Sequence, residues 1–210
     1  MDRIEKRVAK QLLEIKAVCV SPEQNFVWAS GWRSPIYCDN RKILSYPKAR
    51  GMITDSLCEL VVKNFPTVDI IAGVATGAIA WGAMVADRLD KPFVYIRPKP
   101  KDHGLGAQIE GEISTGTKMV IVEDLISTGG SSLSAYDCVL TAGLSVLGMV
   151  AIFSYNFDVA RRSFEKKNCE LHTLTNYDTL IEEALANHYI EEKDLHTLKQ
   201  WRLTPDKWGC

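Results

Sequence analysis

Residues 119–132 read MVIVEDLISTGGSS, and no other stretch of the chain gathers so much potential chemistry. A short apolar run ends in two acids, Glu123 and Asp124. Leu125 and Ile126 come next, followed by Ser127, Thr128, Gly129, Gly130, Ser131 and Ser132. The apolar part suits a buried parallel strand. Acids at the carboxyl end of such a strand stand where open α/β sheets bind ligands, and a pair of carboxylates can accept hydrogen bonds from vicinal hydroxyls. The turn beyond offers hydroxyls and backbone N–H groups without bulk. It opens a helix whose N-terminus carries partial positive charge, so it can cradle a phosphate. Together these groups suit a ribose 5-phosphate. Ser and Gly are ordinary turn residues and acids often cap helices; the specificity lies in the whole string.

Just upstream, residues 97–117 run for about twenty positions without convincing periodicity. Loops of that length in compact domains are usually functional or disordered. This one holds Arg97, Lys99, Lys101 and His103, with Gly104 and Gly106 as hinge candidates. A solvated basic loop would need no function. Lying directly before the strand that carries the acids, however, it can reach the same end of the sheet. A basic arm there suits closure over a polyanion, where Lys and Arg neutralise charge and His adds a proton or a hydrogen bond.

These residues need a scaffold, and the pattern supplies one. Residues 3–17 read as an amphipathic helix with Ile4, Val8, Leu12 and Ile15 at helical spacing. Residues 26–41 are aromatic and turn-rich, as short strands around a Ser-Gly turn would be. A helix is predicted over 49–64, a buried strand over 69–75, a small-residue helix to about Leu89 and a strand over 93–97. Residues 131–142 read as helix and 146–155 as strand. The tail from Tyr177 reads as charged helix. This alternation predicts an α/β fold, a mostly parallel sheet with helices on both faces. No linker divides the chain, so one domain is expected over 1–210: helix and hood to about residue 45, a core over about 65–156, and a helical extension from about 157.

Bulk properties exclude several classes. With 25 Lys plus Arg against 26 Asp plus Glu, the net charge is −1, which gives no basic field for nucleic acid. No apolar run approaches a membrane span, and the N-terminus MDRIEKRVAK lacks a signal-peptide core. The six cysteines (Cys19, Cys38, Cys58, Cys138, Cys169 and Cys210) form no CxxC pair or zinc-ligand spacing. Scattered thiols of this kind suit the cytosol. His172, His188 and His196 are expected at the surface or in packing.

Residues 119–132 closely resemble the phosphoribosyl-pyrophosphate (PRPP) motif of type I phosphoribosyltransferases. The string RPKPKDHGLG resembles the catalytic loop of the orotate enzymes, R-[KR]-x-x-K-x-H-G, through Arg97, Lys101, His103 and Gly104; Pro98 departs from it. The stretch SGWRSPIYCDNR is similar to their S-G-x-x-S-P-x-[YF] hood over the base, through Ser30, Gly31, Ser34, Pro35 and Tyr37. Ala29, Thr76 and Asn156 stand where many members carry Lys, Lys and Arg. The resemblance implies a type I phosphoribosyltransferase fold with a small N-terminal hood, and transfer of ribose 5-phosphate from PRPP to orotate. It further implies that Glu123 and Asp124 hold the ribose hydroxyls and that Ser127, Thr128, Gly129, Gly130 and Ser131 bind the 5'-phosphate. Leu125 and Ile126 would complete the PRPP-binding stretch, and Ser127 would also reach orotate. Arg97, Lys101 and His103 would stabilise the leaving pyrophosphate, with Lys101, His103 and Asp124 as the catalytic set. Mg²⁺ would bind mainly through PRPP and water rather than protein ligands, and two subunits would share active sites in a cytoplasmic homodimer. The K-x-H-G arm and the hood argue against a purine phosphoribosyltransferase. Near-neutral charge argues against a nucleic-acid-binding regulator on the same fold.

Overall fold

A computed structural model describes residues 2–23, 26–28, 31–99, 108–114 and 116–208. The chain forms two compact units, one of residues 1–49 with 175–210 and the other of residues 50–174.

In the first unit, α1 (Asp2–Glu14) packs on α6 (Tyr177–Ala186), burying Val8, Leu12, Leu180 and Ala184. The Asn176 side chain starts α6 by accepting the Thr179 amide. The aromatic stretch forms the expected short strands. β1 (Val18–Val20) pairs antiparallel with β4 (Ile36–Cys38), and β2 (Phe26–Val27) with β3 (Arg33–Ser34). The tail also has a structural role. Helix α7 (Asp194–Leu203) buries Trp201, whose Nε1 donates to the Arg33 carbonyl at 3.2 Å. Its ring meets Trp28 edge-on with centroids 5.8 Å apart, and Tyr177 donates to the Leu198 carbonyl. The C-terminal helix therefore carries the β2–β3 hairpin.

The second unit holds the sheet, ordered β10-β9-β8-β5-β6-β7 among the described residues. Strands β5 (Ile70–Val74), β6 (Phe93–Ile96), β8 (Lys118–Ile126) and β9 (Ser145–Ser154) are mutually parallel neighbours. Their central residues are almost wholly buried, as sheets covered on both faces require. Leu133, Tyr136, Val139, Ala160 and Phe164, from α4 (Gly130–Thr141) and α5 (Asp158–Lys166), join one face through Ala72, Ile121 and Ala151. α3 (Ile79–Leu89) packs on β5, β6 and β8. It comes close because Gly82 and Gly73 lack side chains: a Cβ on Gly82 would lie 3.0 Å from the Gly73 Cα. α2 (Pro47–Asn64) leads into Phe65, which fills the space beside Gly148.

Two strands and a helix were not foreseen. β7 (Ile109–Glu110) pairs antiparallel with β6, inside the segment read as structureless. α5 and β10 (Leu171–Asn176) occupy a stretch read only as part of a helical extension. Among the described residues no helix is long and apolar enough to cross a membrane.

Candidate active site

β5 continues through α3 into β6 on one side of itself, whereas β8 lies on its other side. Such a reversal of strand order opens a crevice beyond the carboxyl ends of the two strands. Ala75, Thr76 and Gly77 leave the end of β5, with the Ala75–Thr76 peptide in the cis form. Glu123 and Asp124 lie near the end of β8, and the Ser-Gly turn follows.

Side chains alternate along a strand, so the two acids part company. Asp124 turns toward Gly77. A Cβ on Gly77 would lie 2.6 Å from the Asp124 Cγ and 2.7 Å from its Oδ1, so a side chain at 77 would collide with the carboxylate where it now stands. Asp124 stays half-buried. Glu123 turns to the α4 face and is 5% exposed. Its Oε2 accepts the Ser132 hydroxyl at 2.8 Å, and its Oε1 accepts the Asp124 amide at 3.0 Å. Burial, followed by the neighbouring Asp124 charge, pushes the Glu123 carboxyl well above the usual carboxylate range. Both acids were expected to hold the ribose hydroxyls; the structure has Glu123 buried against Ser132 and Asp124 half-buried beside Gly77.

Leu125 and Ile126 extend the pairing with β9, opposite Phe153 and Ser154. Ile126 is fully buried, so its contribution is packing and backbone. Ser127 and Thr128 are half-buried, and Gly130 and Ser131 are exposed at the mouth of the turn. Gly129 has φ +81° and lies against Phe164, where a Cβ would come within 2.9 Å of the ring. It also caps α4 without a side chain. The first amides of that helix therefore have no side-chain acceptor from the cap residue, the condition that makes a helix start receptive to an anion.

Arg97 follows β6. Its amide donates to the Gln108 carbonyl at 2.8 Å and its carbonyl accepts from Gln108 Nε2. Its guanidinium stands 3.5 Å from Glu110. The basic arm thus has a hydrogen-bonded stem at residues 97 and 108–110. Lys101, His103, Gly104, Ala29 and Ser30 lie outside the described residues. Asn156 is exposed past the end of β9, with φ +52°. His172 pairs with Glu170 and meets Phe65 edge-on, while His188 and His196 are exposed.

Residues 48–186 match the phosphoribosyl transferase domain family. The orotate phosphoribosyltransferase of Cytophaga hutchinsonii is 52% identical over 203 residues, covering 97% of each chain. That of Porphyromonas gingivalis is 51% identical over 209 residues, covering 100% of each. The crystal structure of orotate phosphoribosyltransferase from Aeropyrum pernix superposes with a TM-score of 0.75 at 30% identity, covering 84% of this chain and 97% of that one. This chain belongs to the orotate phosphoribosyltransferase family.

Three features of this orotate phosphoribosyltransferase-family site escaped the sequence reading. They are the Ser132–Glu123 bond, the seating of Asp124 on Gly77, and the stem of the arm. Ser132 stood in the motif and offered a signal, a fourth hydroxyl immediately after the loop. Gly77 offered only its place after a buried strand.

Proposed function

We propose that the chain transfers the 5-phosphoribosyl group of PRPP to orotate, giving orotidine 5'-monophosphate and pyrophosphate in pyrimidine (UMP) biosynthesis. The observation that carries this reading is the pairing of Asp124, seated on Gly77 at the switch point, with the open helix start after Gly129. A carboxylate and an anion-receptive turn a few residues apart match the two ends of a ribose 5-phosphate.

The 5'-phosphate sits on the amides and hydroxyls of Ser127, Thr128, Gly129, Gly130 and Ser131. Asp124 accepts the ribose hydroxyls and places negative potential beside the cationic character that develops at C1 as pyrophosphate departs. Leu125 and Ile126 hold the loop to β9, and Ser127, the first residue of the loop, also contacts orotate. Arg97, Lys101 and His103 stabilise the departing pyrophosphate from the arm. Orotate supplies its own nucleophilic nitrogen, so the chain needs to orient it rather than activate it.

The donors present fit a magnesium ion carried mainly by substrate. Asp124 offers one half-exposed carboxylate, and the described residues contain no cluster of three or more metal-binding side chains. Mg²⁺ commonly keeps several waters and takes one or two carboxylates with substrate phosphates. Asp124 would hold it, and the ion would supply charge to neutralise pyrophosphate. By family likeness the enzyme works as a homodimer with shared sites. Its free cysteines among the described residues suit the cytosol.

Initial rates with PRPP and Mg²⁺ test the assignment. Orotate is expected to be consumed with release of pyrophosphate, while hypoxanthine and adenine are inert. Turnover of either purine without turnover of orotate overturns it.

A further inference from the structure

We propose that Glu110 is a positioning residue for Arg97: its carboxylate holds one corner of the guanidinium, so that the rest of the fork is aimed at the leaving pyrophosphate. The inference rests on the reading above that Arg97 stabilises pyrophosphate, and it gives a role to a residue of β7 that the mechanism has not used.

The placement follows from the ladder. β6 and β7 pair with Tyr95 opposite Glu110 and Ile96 opposite Ile109. One step further, the Arg97 amide donates to the Gln108 carbonyl at 2.8 Å, and Gln108 Nε2 donates to the Arg97 carbonyl at 3.2 Å. Side chains alternate along strands. Ile96 is fully buried in the sheet core with Ile109 packed against it, so Arg97 and Glu110 share the opposite face. They stand diagonally across the ladder, a separation that long side chains can bridge. Arg97 Nη1 lies 3.5 Å from Glu110 Oε1. Among the described residues this is the guanidinium's one ion pair, and it engages a single corner of a group with several N–H donors. The remaining donors can meet phosphate oxygens in bidentate fashion.

The pair is too open to be chiefly a stability device. Arg97 keeps 34% of its side-chain surface exposed and Glu110 22%, and exposed ion pairs add little to stability. Its worth lies in orientation. A long, rotamer-rich side chain gives up freedom in the resting protein rather than when substrate arrives. A carboxylate beside a cation also offsets part of its pull on an anion. Were that effect dominant, Glu110 would act as a brake, and its removal would speed the reaction.

The test is a double-mutant cycle on the full chain: Glu110→Ala, Arg97→Ala and Glu110→Ala/Arg97→Ala, with Glu110→Gln beside them. Rates are read forward with PRPP and orotate, and in reverse with orotidine 5'-monophosphate and pyrophosphate. Glu110→Ala should lower kcat/KM for PRPP about tenfold and kcat/KM for pyrophosphate by a similar factor, on the scale expected when an orienting contact is lost. The KM for orotate should stay within about twofold, and the melting temperature should hold. Glu110→Gln, which keeps an acceptor for Nη1, should lose only about threefold, and it keeps the series informative if Glu110→Ala does not fold. In the Arg97→Ala background Glu110→Ala should have no further effect. Three results overturn the proposal. Glu110→Ala kinetics equal to the parent would show no positioning. A faster Glu110→Ala enzyme would make Glu110 a brake. An equal loss with and without Arg97 would make Glu110 a structural part of the stem. Silent Arg97→Ala kinetics would instead remove the pyrophosphate role of Arg97 and the proposal with it, and a parent enzyme that leaves orotate untouched would remove the assigned reaction; each failure has its own signature.

Discussion

Replacing Gly77 with alanine should slow turnover about a hundredfold while leaving the fold intact. The added Cβ would stand 2.6 Å from the Asp124 Cγ and 2.7 Å from Oδ1. Carbon contacts are comfortable at about 3.5–4.0 Å, so the carboxylate must retreat by roughly 1 Å. A displacement of about 1 Å in a group that orients substrate can cost ~100-fold in rate, or about 2.7 kcal/mol at ~1.36 kcal/mol per decade. Backbone strain contributes nothing, because Gly77 is not among the residues with positive φ. Asp124 is half-buried and has room to move, so the melting temperature should change little. The assay is loss of orotate absorbance, giving kcat/KM for PRPP, beside a thermal melt. Gly77→Ala should also add little to the defect of Asp124→Asn, since both act on one carboxylate. Kinetics within about twofold of the parent, or full additivity with Asp124→Asn, would refute the reasoning.

Asp124→Asn should lower kcat by at least about 100-fold, the scale of losing one preorganised electrostatic partner, with an unchanged melt; kinetics near the parent's would remove Asp124 from the site. Trp201→Ala should cost about 3–5 kcal/mol of stability in urea unfolding, the range for a buried aromatic, whereas Trp201→Phe should cost much less; equal, small losses would show that α7 does not carry the hairpin. Burial pushes the Cys58 thiol up to about 11 and the Cys169 thiol up to about 12, from an ordinary 9.0. Raised thiols favour the neutral form in the fold, so their contribution to stability is complete below pH ~9 and is lost as pH climbs toward ~12. Native protein should therefore resist alkylation at Cys58 and Cys169 at pH 8, as read by mass spectrometry. Rapid labelling there would contradict the burial.

The parts of the fold visible in the residues were those whose physics is local. DIIAGVA and MVIV are continuous apolar runs, and they became β5 and β8 because a parallel sheet buries both faces. The acids and the glycine turn were legible because phosphate recognition at a helix start needs small residues in succession. What stayed hidden depended on distant partners. β7 is only Ile109–Glu110, and it is a strand because β6 offers it a ladder. β10 reads LHTLTN, too polar to announce itself as part of a sheet. α5 has only nine residues, of which Ala160 and Phe164 are buried, so it was too short to stand apart from the longer stretch read as one helical extension. The opposite facing of Glu123 and Asp124 follows from strand alternation once the strand is known to run on to Ile126. Sequence reading ended the strand at the acids and treated the pair as equivalent. That Gly77 exists to seat Asp124 required the two strand ends to be placed side by side.

The most direct test of the site is a crystal structure of the chain with PRPP and Mg²⁺. The 5'-phosphate should rest on residues 127–131, with the ribose hydroxyls on the Asp124 carboxylate beside Gly77. A phosphate bound elsewhere, or a ribose that leaves Asp124 untouched, would contradict the account.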